Sequence, residues 1–153
     1  MATIKGIVLD SPRHRHSVEE ALKCARYHKL SEVMVIDSPV KMKRTWETEF
    51  LYPYHCKETV FHVRRGDIDK AFLQKCIVMS NKARGDLPIL EQVLTETNEE
   101  FYILLGNEVT GLDSNVVDKS RVSLNLGPQV LSLSAAVNIA MWEISKYIGD
   151  SKK

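Results

Sequence analysis

No apolar run in this sequence approaches the roughly 18–20 residues that a membrane-spanning helix needs. Cysteine is scarce: Cys24, Cys56 and Cys76 are three in number, widely spaced and without a Cys-x-x-Cys pair. A disulfide framework and a thiolate zinc site are thereby excluded as organising features, and a reducing compartment is expected. Charge of one sign is not in excess either, with 21 Lys+Arg against 20 Asp+Glu and a net charge of +1. Dedicated nucleic-acid modules are normally more basic, so any such contact must come from local patches. The seven glycines form neither Gly-x-Gly-x-x-Gly nor Gly-x-x-x-x-Gly-Lys-Ser/Thr, which argues against a dinucleotide fold and a phosphate-binding P-loop. The five histidines show no ligand spacing, so no metal is expected. The start, MATIKGIVLD, is too short and too alternating for a secretory signal. The expectation is a soluble, intracellular, cytoplasmic protein with no membrane partner, folded as one domain over residues 1–153.

What is present is an alternation of short β-rich runs and helical patterns. TIKGIVLD (3–10) reads as a strand, and SVEEALKCARYHK (17–29) as a helix whose Ser17 and Glu20 form a capping box. SEVMVID (31–37), ETVFHV (58–63) and CIVMS (76–80) read as strands, with a short helix DIDKAFLQK (67–75) between the last two. LPILEQVLTET (87–97) is a helix with Pro88 near its start, followed by the strand EEFYILLG (99–106). DSNVVDKS (113–120) predicts a short helix, RVSLNL (121–126) a strand and SLSAAVNIAMWEISKYI (132–148) a long terminal helix. The polar and aromatic stretch 38–58 reads as irregular or partly helical. Near-continuous apolarity in the strands implies burial on both faces. The predicted fold is α/β, with a mostly parallel sheet and helices on both faces.

In such sheets ligands sit at the carboxyl ends of the strands. Three loops stand there: MSNKARGD (79–86), GNEVTG (106–111) and NLGPQVLSLS (125–134). In the second, an apolar strand discharges into Gly-Asn-Glu, where Gly106 allows close approach of a ligand to the backbone. LLGNEVTGLDSNVV (104–117) resembles the second motif of the SPOUT class of methyltransferases, SpoU/TrmH branch. VSLNLGPQVLSLSAAVNIAMWEI (122–144) resembles the third, a strand and loop leading into Ser-Leu-Asn at the start of the last helix. The first motif, Asn-x-Gly-x-x-x-Arg, is matched only in place: Ser17 stands for its Asn, Glu19 for its Gly and Lys23 for its Arg. Ser134 stands for the Asn of the third motif, and Asn125 for a proline.

The resemblance implies a C-terminal trefoil knot, S-adenosylmethionine bent within it, and a homodimer with the site near the interface. It implies an RNA 2′-O-ribose methyltransferase, with tRNA favoured over rRNA because no appended RNA-binding domain is visible. The cofactor-binding candidates are Met79, Ser80, Gly106, Leu124, Leu126, Ser132 and Leu133. The catalytic candidates are Arg15, Lys23, Glu108 and Ser134. By default Glu108 is a turn residue and Lys23 a solvated lysine; a serine also lacks the amide donors of the family's Asn. The basic groups Arg13 and Arg15, before the first helix, and Lys41, Lys43 and Arg44, near Trp46, Tyr52 and Tyr54, are candidate RNA contacts. The alternative is a non-catalytic homologue that binds RNA or a partner. For the dimer, the terminal helix offers Ala136, Ile139, Ala140, Trp142 and Ile144, more apolar surface than one face needs.

Overall fold

The computed structural model describes residues 2–12, 15–36, 60–80, 87–106, 114–125 and 133–146. In chain order they form β1 (Thr3–Asp10), α1 (Arg15–Tyr27), β2 (Glu32–Ile36), β3 (Val60–Val63) and a 3-10 turn at Arg65–Asp67. There follow α2 (Lys70–Leu73), β4 (Cys76–Met79), α3 (Leu87–Glu96), β5 (Glu100–Leu105), α4 (Ser114–Lys119), β6 (Val122–Leu124) and α5 (Leu133–Ser145). The predicted stretch 38–58 lies outside the described residues.

The six strands make one sheet in the order β3-β2-β1-β5-β4-β6, and all five pairings are parallel. Two apolar clusters cover its faces. On one, Leu9, Val35, Ile77, Ile103 and Leu105 pack against α1, α3 and α5 through residues such as Leu22, Leu94 and Met141. On the other, Val8, Val78 and Leu104 pack with Leu73 of α2 and with Val116 and Val117 of α4. Burial of β4 along its whole length explains its uninterrupted apolar sequence, CIVM.

Local sequence sets the ends of these elements. Helix α1 closes with the amide of Leu30 donating to Ala25 O at 2.8 Å, while Lys29 takes φ 58°. This is the six-to-one bond of a Schellman ending, made without a glycine and secured by the buried Leu30. Asp69 caps α2 by accepting from the Phe72 amide at 2.8 Å. One expected cap is corrected. Helix α1 begins at Arg15, so Ser17 lies inside its first turn, 3% exposed, rather than at its N-cap. A capping pattern is a local signal, and the helix extends two residues upstream of it.

Two close approaches fix the sheet register around β1. A Cβ on Gly6 would stand 2.4 Å from the carbonyl oxygen of Glu32, so only glycine lets β1 and β2 pair at that height. Beside it, the pairing of β1 with β5 slips by one residue between Ile4 and Gly6, which sets Lys5 out of the ladder.

Candidate functional site

Four strands end level. Leu9 of β1 pairs with Leu105 of β5, Leu105 with Met79 of β4, and Met79 with Leu124 of β6. The amide of Ser80 then donates to Leu124 O at 3.0 Å, extending the last pairing one step past the ladder. Of the expected cofactor-binding positions, Met79, Ser80, Gly106 and Leu124 are therefore brought to a single carboxyl edge. Gly106 is buried there, and Ser80 and Asn125 are half-buried. The side chains of Met79 and Leu124 fill the core on the α1, α3 and α5 face, with exposures of 5% and 1%. What these two residues offer a ligand is consequently strand-end backbone beside an apolar floor. Adenine, with a flat apolar face and a hydrogen-bonding edge, fits such surroundings.

The same edge contains the point where the chain changes direction across the sheet. β1 leads to α1 on one face and outward to β2, whereas its neighbour β5 leads to α4 on the other face and toward β6. Adjacent strands whose exits diverge leave a crevice between them, the usual ligand position in open α/β sheets. Asp10 and Gly106, each one residue beyond the Leu9–Leu105 pair, border it.

Sequence reasoning missed the charged group at this crevice. Asp10 is buried, 6% exposed, and receives both terminal nitrogens of Arg65: Nη1 donates to Oδ2 at 3.2 Å, and Nη2 donates to Oδ1. Nη2 also donates to Ser11 Oγ at 3.0 Å, and Ser11 Oγ donates to Asp10 Oδ1 at 3.0 Å. The Ser11 amide donates to Ile36 O at 2.8 Å, so the ends of β1 and β2 and the turn after β3 meet at one residue. Ser11 pays for this with φ 52°, an unfavourable region for serine. The sequence signal was an aspartate closing an otherwise apolar strand, IVLD, and an arginine pair directly after another.

Lys23 lies elsewhere in character. Its ammonium is 3.9 Å from Glu20 across one turn of α1, with half of the side chain exposed. Arg15, Leu133 and Ser134 are placed by backbone at the starts of α1 and α5. Arg13, Lys41, Lys43, Arg44, Glu108, Leu126 and Ser132 lie outside the described residues. Among the described residues no group of three or more His, Cys, Asp or Glu is placed to hold a metal, and no helix is long and apolar enough to cross a membrane.

No protein-family description matches the chain, and no curated protein sequence matches it. Solved structures do. A probable methyltransferase from Bordetella pertussis Tohama I superposes with a TM-score of 0.72 at 14% identity, over 97% of each chain. A structure described as giving insight into 2-OH methylation of C/U34 on tRNA matches with a TM-score of 0.65 at 19% identity, over 95% of this chain and 91% of that one. An AdoMet-bound rRNA methyltransferase from Sinorhizobium meliloti matches with a TM-score of 0.71 at 13% identity, over 97% of this chain and 57% of that one. The chain thus has the fold of solved RNA methyltransferases, in agreement with the SpoU/TrmH-like character of its C-terminal motifs.

Proposed function

We propose that the protein is an S-adenosylmethionine-dependent RNA 2′-O-ribose methyltransferase, a single SPOUT-like domain over residues 1–153, acting as a homodimer in the cytoplasm. The observation that carries the reading is the level carboxyl edge of β4, β5 and β6, where Gly106 of the second motif and Leu124 of the third end strands on either side of Met79. The trefoil knot that the resemblance implies belongs to the proposal as well; residues 107–113 and 126–132, in two of the three loops it would involve, lie outside the described residues. The substrate favoured is tRNA, supported by the fold's likeness to a structure concerned with tRNA 2-OH methylation.

S-adenosylmethionine, held by the strand-end backbone of Met79, Ser80, Gly106 and Leu124 with Leu126, Ser132 and Leu133, supplies an already activated methyl group for in-line transfer to a ribose oxygen. The chain's own work is then positioning and help with deprotonation. Arg15, at the start of α1, is the candidate to clamp the phosphate beside the reacting ribose, where a helix N-terminus also favours anions. Glu108 holds the Gly-Asn-Glu loop or a basic residue of the second copy, and Ser134 orients the substrate from the start of α5. Arg13, Lys41, Lys43 and Arg44 supply charge for the RNA backbone.

An uneven last helix supports the dimer. Val137, Ala140, Met141 and Ile144 of α5 are in the core, while Trp142 is 65% and Ile139 39% exposed. On α1, Tyr27 is 81% exposed. These side chains form the apolar surface that a second copy would cover.

The deciding experiment is transfer of a tritiated methyl group from S-adenosylmethionine to total small RNA, followed by mapping of the modified nucleotide. Incorporation at a ribose 2′-oxygen supports the proposal. Cofactor binding without transfer to any RNA would favour the second reading, a non-catalytic RNA- or partner-binding homologue. The outward Lys23–Glu20 pair, at the place of the motif's arginine, is the observation in favour of that reading.

A further inference from the structure

The Asp10–Ser11–Arg65 group has no counterpart among the residues to which the sequence motifs assign a role. It is built with unusual care for a surface turn. A carboxylate at the end of a core strand is buried and held by both terminal nitrogens of one guanidinium, the strongest pairing geometry available to a carboxylate. The same guanidinium reaches the hydroxyl of Ser11, whose backbone is held in the left-handed region and tied to Ile36. A strained residue persists only where its surroundings over-determine it, and such residues cluster at functional sites.

Placement gives the group its meaning. It sits on the β1 side of the crevice opposite Gly106, and four residues after Ser11 the chain enters α1 at Arg15. The exit of β1 is therefore the point from which the chain goes on to the amino end of α1. Three strands converge on that exit, because Asp10 ends β1, Ile36 ends β2 and Arg65 opens the turn after β3. Pairing also neutralises a carboxylate that would otherwise repel a polyanion at the mouth of the crevice.

We propose that Arg65 is a positioning residue for the RNA side of the site: by clamping Asp10 and Ser11 it fixes the β1 exit and hence the start of α1 against the bound RNA. This rests on the RNA methyltransferase reading and adds to it a residue remote in sequence from every motif. Arg65 acts through Asp10 and Ser11. Its guanidinium donates to those two residues, and β4 and β6, whose ends carry Met79, Ser80 and Leu124, lie two and three strands beyond β1 in the sheet.

The test compares the parent, Arg65→Ala, Arg65→Lys and Asp10→Asn by three readouts: calorimetric affinity for S-adenosylmethionine, tRNA affinity by fluorescence anisotropy, and single-turnover methylation of the same tRNA. Thermal melting of each variant checks folding. Arg65→Ala is expected to weaken tRNA binding about tenfold and slow methylation at subsaturating tRNA by at least that factor, with cofactor affinity within about twofold of the parent. Arg65→Lys, which keeps charge but not the fork, should recover part of the loss. Asp10→Asn should weaken tRNA binding in the same direction despite removing a negative charge. Tighter tRNA binding by Asp10→Asn would show that charge, not positioning, governs the group, and would overturn the proposal. Parent-like tRNA binding by folded Arg65→Ala, or parallel loss of cofactor and tRNA binding, would overturn it too. A parent that binds tRNA but transfers no methyl group overturns only the catalytic reading, since the affinity readout still tests Arg65. A parent that neither binds nor methylates RNA overturns both.

Discussion

The backbone amide of Ser80 donates to the carbonyl of Leu124 at 3.0 Å, directly after Met79 and Leu124 pair in the ladder. Two loops far apart in sequence, those following β4 and β6, therefore leave the sheet side by side. Gly106 leaves it one strand away on β5. The pocket proposed for S-adenosylmethionine at this edge would be lined largely by strand-end backbone, so small changes of side chain there should have large effects.

Gly106→Val places branched carbons at the buried end of β5, where the proposed ligand meets the chain. Affinity for S-adenosylmethionine should fall at least tenfold, or about 1.4 kcal/mol, in a calorimetric titration. A folded variant with parent-like affinity would show that the pocket lies elsewhere.

Light scattering at micromolar concentration should give the mass of a dimer. Trp142→Glu puts a charge in the middle of the exposed face of α5 and should shift the protein to monomer. Loss of an aromatic anchor of this kind commonly costs about 2 kcal/mol or more, roughly a 30-fold weaker association. A monomeric parent would leave Trp142, Ile139 and Tyr27 without this explanation.

The ion pair of Lys23 with Glu20 predicts a modest role for the motif's inherited basic position. Lys23→Ala should change single-turnover methylation by no more than a few-fold. Arg15→Ala or Arg13→Ala should lower it by on the order of 10²–10³, the usual cost of one contact to developing charge. A large loss in Lys23→Ala with cofactor affinity intact would return the role to the helix.

Two buried thiols among the described residues, Cys24 and Cys76, give a pH signature. Burial, with the charge of Glu20 second, pushes Cys24 from 9.0 to about 11, and burial alone pushes Cys76 from 9.0 to about 12. Because the folded values are raised, the folded chain keeps protons that the unfolded chain releases above pH 9. Their stabilising contribution is complete below pH 9 and is lost as pH rises from there through 11 and 12. Urea midpoints should fall over that range, and at pH 8 iodoacetamide should modify Cys24 and Cys76 only in the unfolded protein. Peptide mapping that finds both labelled at free-thiol rates in the folded protein would contradict this.

Gly6→Ala tests the sheet itself. A Cβ 2.4 Å from the Glu32 carbonyl forces β1 and β2 apart at the centre of the sheet. Overpacking of this kind costs about 2–3 kcal/mol, which for a domain of this size corresponds to a fall of roughly 5–10 °C in melting temperature. An unchanged melting temperature would mean that the two strands separate without cost.

Much of this protein was settled locally. The strand Thr3–Asp10 was legible to the residue because its apolar run ends in an aspartate, and helices such as Leu87–Glu96 were legible because their apolar spacing repeats along one face. Parallel pairing was legible from continuous burial in CIVM and FYILL. The Gly-Asn-Glu and Ser-Leu signatures pointed to the carboxyl edge at which the ligand is proposed to sit, since glycine at a strand end has a direct backbone meaning. Ser17 was misplaced because a capping pattern is local, while the helix itself starts at Arg15, two residues upstream.

What only the tertiary structure decided concerns residues with no periodic or motif signal. Nothing in the order of the residues says that Asp10 and Arg65, 55 positions apart, share two hydrogen bonds, or that Ser11 leaves the favoured backbone region to join them. Nor does it say which apolar residues of α5 face the core and which, Trp142 and Ile139, face outward. Helical spacing names an apolar surface, but the sheet and α1 occupy only part of it. Local propensity and pattern act over a few residues, whereas pairing at the carboxyl edge depends on which strands become neighbours. Strand order fixes that, and strand order is a property of the packed sheet as a whole.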